Sequence, residues 1–165
     1  MVCSACHGQA GQSSSDTIPI LAGMTPAYFK KAIADYAAGR RPSPEMEPYA
    51  KMTTHFGVDE IAAYFAAQKR KATPIAVDAA SVARGKAASA SCAECHGARG
   101  QGDAAKLVPA LAGQAPGYLK AQLQLFKHDQ RSPGDPALRS QKALIQRIPD
   151  EALADLAAYY SSLRP

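Results

Sequence analysis

Apolar residues return at helical spacing in paired stretches of the chain. Phe29, Ile33 and Tyr36 recur three and four positions apart, which places them on one face of a helix of 3.6 residues per turn. Leu119, Leu123 and Phe126 repeat that face in the second half. Val58, Ile61 and Phe65 mark another helix, and Leu153, Leu156, Tyr160 and Leu163 mark its counterpart near the end. Thr25-Pro26 predicts the start of the first helix, a hydroxyl cap followed by proline where no N–H is needed. Pro149-Asp150 predicts the start of the last one. Residues 78–91 also read as helical, with Asp78 as cap. No segment sustains the alternation of a strand, so helix and loop are expected throughout.

The pairing is a repeat of sequence as well as of pattern. Cys3-Ser-Ala-Cys6-His7-Gly8 returns as Cys92-Ala-Glu-Cys95-His96-Gly97, and Ile18-Pro19-Ile20-Leu21-Ala22-Gly23 returns as Val108-Pro109-Ala110-Leu111-Ala112-Gly113. Pro26-Ala-Tyr28-Phe29-Lys30 matches Pro116-Gly-Tyr118-Leu119-Lys120, and Ala62-Ala63-Tyr64-Phe65 matches Ala157-Ala158-Tyr159-Tyr160. The stretch from Lys71 to Asp78 reads as a linker. Two domains follow, residues 1–72 and 73–165. The helix before the second Cys motif has no partner before the first. The reading is therefore an all-α chain of two tandem domains, the first lacking its N-terminal helix, and a product truncated at that end.

Two domains of about 80 residues each are marginal on apolar burial alone and call for a staple. A large buried cofactor can serve as one. Of the 165 residues, 47% are hydrophobic and 20% charged, an ordinary globular balance. The formal charge of +5 is weak support for nucleic-acid binding, since two haems would add four carboxylates. The one basic run, Lys69-Arg70-Lys71, reads as a solvated helix end. No apolar run is long enough to span a bilayer, and no leader is visible ahead of Cys3.

All four cysteines fall in the two C-x-x-C-H motifs. That spacing is the attachment signature of c-type haem. Cys3 and Cys6, like Cys92 and Cys95, would add across the haem vinyl groups. His7 and His96 would then lie under the iron as proximal ligands. A redox Cys pair is expected beside a β-α-β pattern, and there is none. Paired C-x-x-C motifs for zinc lie about 15 to 20 residues apart, whereas these stand in separate repeats.

These residues resemble the two-domain dihaem cytochromes c of the c-four kind, and the cytochrome subunit of flavocytochrome c sulfide dehydrogenases. The resemblance covers nearly the whole chain. It implies two tandem class I cytochrome c folds and two covalently bound haem c groups. It also implies that the carbonyls of Pro19 and Pro109 accept a hydrogen bond from the ligand histidines, fixing ring and tautomer. The family carries a distal methionine on the loop before the last helix. Aligning that helix without gaps through Ala63-Tyr64-Phe65 places Met46 there, with Met52 as runner-up. Met1 and Met24 sit too near the proximal motif. The same alignment puts Gln141 at the second position, and no methionine follows Met52. For the second haem three options stay open: a side chain (His128, Gln141 or Lys142), water, or a five-coordinate iron. His128 also suits a helix C-terminus as an exposed cation, and His55 reads as a surface residue at the start of a helix. Glu94 and Asp103, near the second motif, read as solvated.

The expected function is electron transfer by a soluble dihaem c-type cytochrome, an electron carrier without catalytic residues. Its partners would be an electron donor and a terminal acceptor. Two alternatives remain: an electron-accepting subunit of a (flavo)dehydrogenase, docked through Phe56, Ile61 and Phe65, or ligand chemistry at an open second haem. Covalent haem attachment places the expected compartment in the periplasm, with a leader expected upstream of Met1.

Overall fold

The computed structural model describes residues 2–131 and 139–165, the side chains of Arg139 and Ser140 excepted. Met1, set aside above as a ligand, lies outside them. The described residues are helix and loop, with one isolated bridge between Asp103 and Val108. In the first half, α1 spans Ser4–His7, α2 Pro26–Ala37, α3 Met46–His55 and α4 Val58–Ala66. In the second, α5 spans Ala79–Ala88, α6 Ala90–His96, α7 Pro116–Lys127, α8 Arg139–Gln146 and α9 Asp150–Ser162.

Most of the expected positions are buried, while Val58 and Ile61 are half-buried. Phe29, Ile33 and Tyr36 on α2 pack with Phe65 on α4 in a first core, the Phe29 and Phe65 rings lying 5.8 Å apart. Complete burial of an aromatic side chain such as Phe65 contributes about 1.5–3 kcal/mol. A second core joins Leu119 of α7 to Ala157, Tyr159 and Tyr160 of α9. Leu153 and Leu156 are buried too, whereas Leu163 falls just past the end of α9 and is half-buried.

The two halves repeat their joints as well. Gly11 O accepts from the amides of Leu21 and Ala22 at 2.8 and 3.2 Å, and Gly100 O accepts from Leu111 and Ala112 at 2.8 and 3.1 Å. Both glycines have positive φ, where a side chain is strained. A Cβ on Gly11 would lie 2.7 Å from the Phe65 ring, and one on Gly100 would lie 2.8 Å from the Tyr160 ring. The glycines let each haem-motif loop lie flat on the last aromatic of its half.

Local expectations fare unevenly. The Asp78 carboxylate caps α5, accepting from Ser81 N at 2.8 Å. Thr25 holds the cap position of α2, but its side chain makes no cap bond. His55 closes α3 rather than opening the next helix, and it is exposed. Helix α3 stands where the resemblance implied a loop before the last helix of the first half. Lys69 and Lys71 are exposed as expected, but Arg70 is turned inward. Its Cβ lies 3.1 Å from where a Gly23 side chain would begin.

Helix α5 has no counterpart among the described residues before α1. It lies along α9, tied by Arg84 to the Asp155 carboxylate at 2.7 and 2.8 Å. The segment between α4 and α5 belongs to both halves. Gln12 grips Lys71, donating to its carbonyl and accepting from its amide at 2.9 and 3.0 Å, while Thr73 N donates to Gly113 O at 2.8 Å.

Candidate haem site

Each C-x-x-C-H motif folds as a short helix, and that fold aligns its chemistry. Residues three apart on a helix share a side, so Cys3 and Cys6, and likewise Cys92 and Cys95, present their thiols together with the histidine next in line. None of the four is paired in a disulfide. His7 Nδ1 lies 2.8 Å from the Pro19 carbonyl and His96 Nδ1 lies 2.9 Å from that of Pro109. Each bond holds Nδ1 as the donor and leaves Nε2 with its lone pair free for a metal. Burial lowers the pKa of both rings, only partly opposed by the proline carbonyl, which favours that neutral form.

A cavity of about 260 Å³ opens on Cys92, Cys95 and His96. Leu111, Leu119, Leu123, Phe126, Ile145 and Leu156 give it apolar walls. This explains why Leu123 and Phe126, expected in the core, are only half-buried: their face turns to the cavity. In the first half, Cys3, Met24 and Met46 all pack against the first core. Met46 opens α3 and is half-buried, whereas Met52 on the same helix is 47% exposed.

The rim of the cavity is polar and shared between the halves, a feature the sequence reading missed. Tyr28 and Tyr118 occupy the same place in the two repeats, as do Arg41 and Arg131. Arg41 donates to the Tyr118 hydroxyl, and Arg131 donates to that of Tyr28 at 3.3 Å. Each arginine also stacks on an aromatic of its own half, Arg41 at 4.5 Å over Tyr36 and Arg131 at 4.5 Å over Phe126. Gln122 Oε1 accepts from both, at 3.0 and 2.6 Å. Against burial, the two guanidiniums hold the Tyr28 hydroxyl below the usual phenol range. The signal was present in the repeat: both Tyr and Arg recur in register, 90 residues apart.

Both arginines are buried, and among the described residues neither meets a carboxylate. Arg131 Nε, at the cavity, and Arg70 Nε and Nη2 have no hydrogen-bond partner there. Buried cations without acids call for an anion. Haem meets both requirements at once, an apolar ring for the walls and propionates for the rim, so the residues fit the group.

Other candidates fall away from the cavity. His128 caps the end of α7, is exposed and does not line the cavity. Glu94 is exposed, and Asp103 accepts from Ala105 N at 3.0 Å in its own turn. Gln141 and Lys142 do line the cavity.

An all-α fold around such a cavity, with C-x-x-C-H on its wall, defines a c-type cytochrome, a protein that carries covalent haem c. The family model described as cytochrome c matches residues 82–164. The chain is 32% identical to cytochrome c4 of Thiocapsa roseopersicina, over 98% of this chain and 87% of that one. It is 29% identical to a thiosulfate dehydrogenase electron acceptor of Stutzerimonas stutzeri, over 99% of this chain and 79% of that one. The crystal structure of reduced recombinant cytochrome c4 from Pseudomonas stutzeri superimposes with a TM-score of 0.88 at 27% identity, covering 98% of this chain and 93% of that one. The chain belongs to the cytochrome c family, and within it to the cytochrome c4 kind. Its function is electron transfer, and it is a carrier rather than an enzyme. No helix among the described residues is long and apolar enough to cross a membrane.

Proposed function

We propose that the chain carries two haem c groups, one in each of two domains, residues 1–72 and 73–165, and relays single electrons between a periplasmic dehydrogenase and a terminal acceptor. The observation that carries this reading is the duplicated joint of imidazole and proline carbonyl behind each Cys pair. Cys3 and Cys6 hold one group, Cys92 and Cys95 the other, with His7 and His96 as proximal ligands. Met46 would be the second ligand of the first iron. Its half-buried place on the first core supports it over Met52, the runner-up, which is 47% exposed.

Haem supplies an iron that changes oxidation state by one electron with little rearrangement. The chain's residues do the rest. The proline carbonyls fix the imidazoles. The leucine and phenylalanine walls keep water off. Arg131, which lines the cavity and whose Nε has no partner among the described residues, would meet a propionate, and the crossed Arg–Tyr pairs hold the two halves in one orientation.

A dehydrogenase as the electron donor is supported by the relative that bears the name of a thiosulfate dehydrogenase electron acceptor. Mixing the reduced holoprotein of such a donor with this cytochrome under stopped flow tests it. Rapid growth of the reduced α-band, saturating at two electrons per chain, is expected. Saturation at one electron contradicts the dihaem relay.

A further inference from the structure

The cavity on Cys92, Cys95 and His96 would offer a haem iron one proximal imidazole and no thioether from its own half. The sequence contains no methionine after Met52. Met24 does line the cavity, from the first half, but it belongs to the His96 side. Its counterpart in the repeat is Gln114, whose side-chain oxygen accepts from Ile20 N at 2.7 Å and whose amide donates to Ile20 O at 3.0 Å. Ile20 follows Pro19, the residue that holds His7. By the register of the repeat, Met24 corresponds to a place beside Ala110, next to Pro109, the residue that holds His96. Pro109 and Ala110 line the cavity with it.

The wall contributed by α8 is different. It brings Gln141, Lys142, Leu144 and Ile145 to the cavity, and an amine is the one side chain among them that is a good nitrogen donor to iron. The Lys142 side chain is 17% exposed, and its ammonium bonds the carboxylate of Asp129, which is itself 72% exposed. The stem is thus held at the cavity while its tip rests on a weak, solvent-screened partner. Two other lysines line the cavity, and both are committed elsewhere. Lys31 bonds the buried Asp35 on its own helix, and Lys106 is 78% exposed beside Asp103.

We propose that Lys142 is the sixth ligand of the second haem, so that the two irons are His/Met and His/Lys. This rests on the dihaem reading above. Ligation breaks the Lys142–Asp129 bond, releases one ammonium proton to solvent and gives the Nζ lone pair to iron. No electron is transferred in that step. A harder nitrogen donor lowers the potential relative to a thioether, so the electron settles on the first haem.

The test compares the wild-type holoprotein with Lys142→Ala, Lys142→Met and Gln141→Ala. Mass under denaturing conditions counts the attached haems, and electron paramagnetic resonance with carbon monoxide binding reads the ligands. Two low-spin haems that ignore carbon monoxide are expected in the wild type and in Gln141→Ala. In Lys142→Ala one of two haems should turn high-spin and bind carbon monoxide. In Lys142→Met one haem should gain the thioether charge-transfer band and a higher potential. A wild type that already binds carbon monoxide, or a spectrum indifferent to Lys142→Ala, overturns the proposal. A chain with only one attached haem overturns the dihaem reading instead.

Discussion

Gly85 is the point of closest approach between α5 and α9, and adding one methyl group there should cost more than it gains. A Cβ at this position would lie 1.9 Å from the Asp155 carbonyl oxygen, 2.5 Å from its carbon and 2.8 Å from Tyr159 Cβ. Carbon and oxygen in such helix contacts settle at roughly 3.3 Å. The two helices must therefore part by roughly 1 Å or more, and backbone on both sides leaves no flexible side chain to yield. In an exposed helix, glycine to alanine gains about 1 kcal/mol of propensity. Overpacking of a fitted contact costs about 1–3 kcal/mol, and parting the helices also loosens the seam that holds Tyr159 and Tyr160. The net expectation for Gly85→Ala is a loss of about 1–2 kcal/mol, or roughly 2–8 °C in Tm for a chain of this size. Thermal unfolding of the holoprotein followed by circular dichroism reads it, with Lys86→Ala on the exposed side of the same helix as control. A Gly85→Ala protein as stable as the wild type, or more so, would refute the close crossing.

The contact between halves makes a separate prediction: Gln114→Leu leaves the buried Ile20 amide and carbonyl unpaired and should cost about 2–4 kcal/mol in denaturant unfolding. Little change there would mean that water replaces the amide and the contact is open. Acid should loosen the second half through its carboxylates. Hydrogen bonds from Arg84 and Lys127 hold Asp155 and Asp150 below the usual carboxylate range. A folded-state pKa lowered in this way adds stability that is complete above the ordinary value of about 3.9 and is lost as pH falls through the lowered one. Asp155→Asn should therefore show a shallower acid transition by circular dichroism, and an unchanged transition would count against the α5–α9 clamp.

Much of this was legible because the chain states its unit twice. The helices at Pro26 and Asp150 announce themselves through proline and apolar period, and the cysteine spacing points to the cofactor. The imidazole–proline joints came from resemblance rather than period, because no local pattern links His7 to a carbonyl twelve residues on. Helix α3 was missed since it gives the first core only small or partly buried side chains, Ala50 and Met46, and so carries no strong apolar stripe. Arg70 was misread because charge in a run normally means solvent, and only the packed structure shows Gly23 making room for it. The crossed arginine–tyrosine pairs join residues far apart in sequence, so only the repeat register hinted at them. Gln141, Lys142 and His128 were all named, but only the structure brings the first two to the cavity and leaves His128 away from it.

The central claim is a carrier with two unequal haems, and potentiometry of the intact holoprotein tests it most directly. Two one-electron steps at separate potentials are expected, the higher of which falls on Met46→Ala while the lower stays in place. A single one-electron step, or two steps that both move with Met46, would contradict it.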